Sequence, residues 1–308
     1  MPAFLPAFAG APIRVPANPQ LRGILLIVVA WGIFALMDTI AKYLSHFYPV
    51  PAIVWARYAM NLLVLTAFLA ARGQLHLART ARPGIQLVRG ALLGSATIMF
   101  FTSLSVLPIA EAAAIGFVMP LFLALLAVPL LKERVDPGGL AAILVGLSAT
   151  LVIVRPGSAL FTAYALLPVG TALANALYQI LTRRIAGVEP PLTSLYYGAL
   201  VGTVMFSFVV PFAWATPGSV WHWLLLVIMG LLASVGHFTL IRAFDHAPAG
   251  MLAPFAYSYL VWGVLLGFAV FGDFPDGPSF AGMAVIVVSG LYLANRQRLA
   301  IRKSSRKD

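Results

Sequence analysis

The chain has 308 residues, 61% hydrophobic and 9% charged, with a mean hydropathy of +0.96; a soluble globular domain carries roughly 25% charged residues. Apolar segments recur so densely that no stretch of about 50 residues remains to form a soluble catalytic or nucleic-acid-binding module. The formal charge of +11 sits at segment boundaries, and the absence of cysteine removes disulfides, thiolate nucleophiles and Cys-based metal sites.

Residues 1–21 are rich in proline and hold no apolar run long enough for a secretory signal, which predicts a disordered cytoplasmic tail that is not cleaved. Ten apolar segments follow, at 22–44, 50–71, 86–107, 110–131, 138–155, 161–184, 190–213, 221–244, 249–271 and 279–296. Prolines and glycines punctuate the joints, as in "YPVP" at 48–51, "RPG" at 155–157, "EPP" at 189–191 and "DFPDGP" at 273–278. Residues 297–308 form a basic tail. Of the 20 Lys and Arg, only Arg155 falls in a loop opposite the termini, and Lys42 and Arg57 lie within segments. All others, Arg89 among them, share the side of both termini, so the positive-inside rule predicts that both termini are cytoplasmic. The basic tail then reads as a topology anchor in contact with lipid headgroups, with no nucleic-acid partner.

The two halves match when shifted by about 140 residues. Pro108 falls on Pro248, Ala113 on Ala253, Glu133 on Asp273 and Asp136 on Asp276, followed by Gly138-x7-Gly146 beside Gly282-x7-Gly290. A five-span unit ends on the side opposite its start, so a second copy must be inverted. The expectation is an all-α integral membrane protein of ten transmembrane helices, with one five-helix repeat at 22–155 and an inverted copy at 156–296. Gly90-x3-Gly94, Gly198-x3-Gly202 and Gly263-x3-Gly267 predict faces where helices approach closely. They leave open a monomer or a weak dimer.

Charges within hydrocarbon need a partner or a water-filled cavity. Asp38 and Lys42 are one helical turn apart in "ALMDTIAKYL", so they can pair, and Arg57 enters from the second segment at a similar depth. One reading is a neutralised architectural cluster; the other makes Asp38 a proton acceptor or amine ligand, with Lys42 or Arg57 meeting a substrate carboxylate. Asn175, Tyr178 and Gln179 share a hydrogen-bonding face of the sixth segment. His237 is a second proton-coupling candidate. Trp31, Phe117, Tyr257 and Trp262 lie deep enough for a flat apolar pocket wall, although core packing explains each of them singly. Pro120 and Pro254 are candidate hinges. The five His show no H-x3-H pair, so neither a metal site nor a cofactor is expected.

With Trp31-Gly32, Lys42, Arg57, "FVMPLFLALLAVPLLKERVDPGGLAAILVGL" at 117–147 and its counterpart "APFAYSYLVWGVLLGFAVFGDFPDGPSFAGMAVIVVSGLYL", the chain resembles the drug/metabolite transporter superfamily in its EamA branch. The resemblance covers residues 22–296. It implies a central cavity between the repeats, with spans 3–4 and 8–9 rocking around it in a bacterial inner membrane. Within that branch the chain is similar to YddG-type exporters of aromatic and other neutral amino acids, and similar sequences also import vitamins or S-adenosylmethionine. The implied function is amino-acid export by alternating access, with import of such a metabolite as the rival. No H-E-x-x-H, G-x-S-x-G or Asp-rich motif points to an enzyme, and an intramembrane enzyme or passive channel is the remaining alternative.

Overall fold

The computed structural model describes residues 19–131, 137–185, 187–247 and 249–304. Residues 1–18 of the expected tail, Glu133 and Asp136 of the first acidic turn, and the last four residues lie outside that set.

All regular structure among the described residues is helical. In chain order the helices are α1 (Pro19–Ser45), α2 (Val50–Ala71), α3 (Pro83–Leu104), α4 (Ile109–Gly116), α5 (Met119–Leu131), α6 (Pro137–Ile153) and α7 (Leu166–Ile185). There follow α8 (Pro191–Ser207), the short α9 (Val210–Ala213), α10 (Val220–His246), α11 (Ala249–Leu252), α12 (Ser258–Phe271) and α13 (Gly277–Ser304). Prolines open α2, α3 and α8 within their first two positions, where a missing N–H costs nothing. Gly272, at φ +73°, closes α12 in the left-handed conformation that glycine tolerates.

Among the described residues, seven helices are long and apolar enough to cross a membrane. The remaining expected segments also fall on helix, but Gly138–Ile153 and Gly277–Tyr292 are shorter apolar stretches and α8 has 17 residues. Two boundaries differ from the sequence expectation. The segment 190–213 breaks after Ser207, and α13 continues past 296 as helix to Ser304, where a separate tail was expected. Polar residues at 295–304 end the apolar run, but nothing there breaks the backbone ladder.

Two further breaks fall inside spans. The segment expected at 110–131 is interrupted at Phe117–Val118, between α4 and α5; the one expected at 249–271 passes from α11 through a tight 3-10 turn, Ala253–Tyr257, into α12. Pro254 lies within the second break, and Pro120 in the first turn of α5, just past the first one. Helix packing comes in matched pairs: α1 lies on α10 and α7 on α3, α2 on α10 and α8 on α3, α1 on α12 and α7 on α5, with α6 against α13. Small residues allow the approach. A Cβ on Gly90 would overlap the side chain of Val201, and one on Gly230, the position 140 residues on, would overlap Met60. The outward faces are apolar, with Leu151 72% and Phe208 74% exposed, as suits helices solvated by lipid.

Candidate functional site

One end of the bundle is shut by polar contacts. It is formed by the C-terminal ends of α1 and α12 and the turn into α4. There Lys42 Nζ donates to the Leu107 carbonyl at 2.8 Å and to Asp273 Oδ2 at 3.0 Å, and lies 5.1 Å from the centre of the Phe271 ring. On the same side Arg155 donates to Asp276 at 2.5 Å, joining the end of α6 to the start of α13, and Tyr48 Oη meets His222 Nδ1 at 2.6 Å. Asp276 also accepts from the Ser279 N–H at 2.9 Å, a cap for α13. The Arg155 guanidinium, with that cap, pulls the Asp276 carboxyl down to about 2.

The expected Asp38–Lys42 pair does not form. Lys42 reaches the helix ends above it, and Asp38, one turn below, instead accepts from Tyr259 Oη on α12 at 2.5 Å. Asp38 is 5% exposed. Nor does Arg57 join a triad: its Nη1 donates to Thr97 Oγ1 at 3.3 Å, its Nε points to Met37 Sδ, and its guanidinium lies over the rings of Tyr58 and Phe101. Glu111, which drew no sequence expectation, is buried in α4 near the charges of Lys42 and Asp273, and its Oε2 has no hydrogen-bond partner among the described residues.

Below this seal lies a cavity of about 1110 Å³ that reaches the surface at the α7–α8 turn, by Ile185 and residues 187–191. Its walls are mostly apolar. Trp31, Phe117, Tyr178, Gln179, His237 and Tyr257 of the expected residues line it, together with Pro120 and Pro254. Asp38, Lys42, Arg57, Asn175 and Trp262 are not in its lining. Trp262 is occupied elsewhere: its Nε1 donates to the Val28 carbonyl at 3.2 Å and its ring packs on Gly32, where a Cβ would stand 3.0 Å away.

Phe117 and Tyr257, 140 residues apart, sit at the two span breaks and face each other with ring centres 4.9 Å apart and 33° between planes. Gly290 makes room for them, because a Cβ there would overlap the Tyr257 hydroxyl. Trp31 presents an Nε1–H that is buried and without a partner among the described residues. His237 Nδ1 is 2.8 Å from the Ala233 carbonyl, an acceptor, so Nδ1 carries a proton in this arrangement.

Sequence reasoning missed the most polar wall. Arg89 was expected at a membrane boundary, but α3 carries it inside the bundle, 2% exposed, on the cavity lining. Its guanidinium donates to Thr182 Oγ1 at 2.9 Å, Gln86 Oε1 at 2.5 Å and Tyr178 Oη at 2.9 Å, and lies 4.6 Å from the Tyr178 ring centre. The available signal was depth: Arg89 lies six residues into α3 from Pro83, roughly 9 Å along the axis.

The sequence matches the EamA-like transporter family twice, over residues 21–155 and 162–296. Among similar proteins, an S-adenosylmethionine uptake transporter of Rickettsia conorii is 27% identical over 89% of this chain and 95% of its own length. A riboflavin transporter of Vibrio cholerae is 28% identical over 89% and 93%. A pseudopaline exporter of Pseudomonas aeruginosa is 26% identical over 90% and 97%. A crystal structure with 22% identity superposes with a TM-score of 0.62, covering 90% of this chain and 96% of that one, which supports the fold alone.

Proposed function

The chain belongs to the EamA-like transporter family, and on that premise we propose that it carries a metabolite larger than a single amino acid across a bacterial inner membrane by alternating access. The observation that carries the reading is a cavity of about 1110 Å³, reaching the surface at one end and sealed at the other by the pair that the buried Lys42 makes with the half-buried Asp273. Drug-sized ligands occupy pockets of roughly 300–1,000 Å³, so a lone amino acid would leave this space mostly unfilled. The relatives' names point the same way, to S-adenosylmethionine, riboflavin and pseudopaline.

In this reading the fold is two inverted five-helix repeats, 22–155 and 156–296. The double family match and the paired helix contacts support it. The charge asymmetry supports placing both termini and the cavity mouth in the cytoplasm. Phe117, Tyr257 and Trp31 then hold a flat ring, Gln179 and Tyr178 its polar edge, and the breaks beside Pro120 and Pro254 are where the two gates bend. The family names include uptake and export, so direction follows the gradients the cell maintains. The narrower expectation, YddG-type export of aromatic or large neutral amino acids, puts the substrate carboxylate on Lys42 or Arg57 and its ammonium on Asp38, Asn175 or Gln179; of these only Gln179 lines the cavity.

Counterflow in liposomes containing the full chain tests this. Labelled S-adenosylmethionine, riboflavin and an aromatic amino-acid panel are offered in turn. Saturable counterflow of a larger metabolite is expected. Counterflow confined to amino acids would restore the exporter reading, and unsaturable leak of everything would make the protein a channel. Of the two proton-coupling candidates only His237 lines the cavity. Any response of counterflow to an imposed pH gradient should therefore vanish in His237→Gln and persist in Asp38→Asn.

A further inference from the structure

We propose that Arg89 is an anion-binding subsite in the cavity wall, so that the transported molecule carries a carboxylate or phosphate as well as a flat apolar ring. The proposal rests on the transport reading above and adds a chemical class to it.

A guanidinium has five N–H donors. Three of the Arg89 donors are taken by neutral oxygens, from Thr182, Gln86 and Tyr178, and no carboxylate pairs with it among the described residues. The one carboxylate in the cavity lining, Glu189, forms no ion pair with Arg89; its Oε1 accepts from Thr80 Oγ1 and the Ala81 N–H, each at 2.8 Å. A cation 2% exposed with no counter-ion is expensive to keep inside a bundle.

The neutral oxygens hold the planar fork in place, fixing its orientation without neutralising it. Tyr178 does this twice, through its hydroxyl and through its ring face. Two N–H groups remain for a ligand, the number a carboxylate or phosphate accepts side by side. Arg183, also in the lining, adds positive charge at the mouth. Further in, the unpartnered Trp31 N–H offers another donor, and the facing Phe117 and Tyr257 rings accept a flat group. The cavity thus supplies donors and aromatic surface together, which suits an acidic head on a planar body.

The test measures binding of indole-3-acetate and of its neutral isostere indole-3-acetamide to the full chain in nanodiscs, by calorimetry. The wild type should bind the acid at least about tenfold tighter, the scale of a charge-assisted hydrogen-bond pair. Arg89→Gln should abolish the acid's advantage, bringing the acid-to-amide affinity ratio to about one. Arg183→Gln, at the mouth, should lower acid affinity less than threefold. Arg89→Lys keeps charge but loses the fork and should fall between. The acid–amide comparison in wild type stands even where the Gln variant does not fold. Equal affinities in wild type, no binding of the acid, or an undiminished acid preference in Arg89→Gln would each overturn the anion site. If the acid preference fails while metabolite counterflow remains saturable, the transport reading survives; if counterflow is lost and the preference holds, only that reading falls.

Discussion

At the scale of single residues, the polar seal is built from partners far apart in sequence. Lys42 is bonded to a carboxylate 231 positions away, and no local spacing reveals that; the nearest acid in sequence, Asp38, was the only partner visible. Tyr259 likewise reads as one more aromatic in an apolar run until it is seen donating to Asp38. Removing that donor in Tyr259→Phe leaves a buried carboxylate with its hydrogen bond unmade. We expect a loss of about 1.5–3 kcal/mol, read as a lower unfolding midpoint in detergent, with Asp38→Asn in the Phe background recovering part of it. The Arg155–Asp276 contact has a defined pH signature. Because Asp276 titrates at about 2 when folded, below an ordinary aspartate, its stabilisation is present above the unfolded pKa of about 4 and is lost as pH falls through the folded one. The midpoint difference between wild type and Asp276→Asn should therefore be constant from pH 7 to about 5, and should shrink toward pH 2. A difference that instead grew on acidification would reverse the assigned sign.

At the scale of elements, most of the helices were legible, because prolines and glycines act locally on the backbone; the breaks inside 110–131 and 249–271 had no signal beyond the candidate hinges Pro120 and Pro254. Pro120 and Pro254 lie at or beside the interrupted stretches, and the small-residue spacings mark close approach at Gly90 and at Gly202, whose Cβ would press on the Tyr58 ring at 2.5 Å, but not at Gly263 or Gly267, where an added Cβ would make only ordinary contact. The illegible part was which side of a helix faces the cavity. Asn175 and Gln179 share a helical face, yet only Gln179 lines the hollow, and Arg89 was mistaken for a boundary charge because topology statistics weigh a basic residue near a span end as outside it. The Gly290–Tyr257 contact yields a direct test of the break inside 249–271. Gly290→Ala puts a methyl where the Tyr257 hydroxyl lies, so we expect about 1–3 kcal/mol of destabilisation from overpacking and weaker ligand binding as the ring is displaced from Phe117. Tyr257→Phe removes the colliding oxygen, so the double variant should be more stable than Gly290→Ala alone. Additive losses in the double variant would mean the contact is not the cause.

At the scale of the whole molecule, the proposed alternating access makes a seal on one face and an opening on the other the two halves of a single equilibrium. The chain contains no cysteine, so any cysteine introduced is the sole target for a thiol reagent. Leu195, in the cavity lining, reports on the open end, and Leu107, almost fully buried beside Lys42, reports on the sealed one. In the proposed orientation, a membrane-impermeant maleimide should label Leu195→Cys quickly from the cytoplasmic face, and should label Leu107→Cys slowly from the opposite face. Lys42→Ala deletes the ion pair and the bond to the Leu107 carbonyl, contacts that exist only while that end is shut, so it weakens one state and leaves the other untouched. Each 1.4 kcal/mol so removed shifts the balance tenfold. In the Lys42→Ala background the Leu107 site should therefore react about tenfold faster and the Leu195 site correspondingly slower once the opposite-facing state predominates. The reciprocal change is the decisive part: a local loosening would speed Leu107 alone, and general unfolding would speed both. Only a molecule that closes one end as it opens the other slows the cavity label when the distant seal is cut.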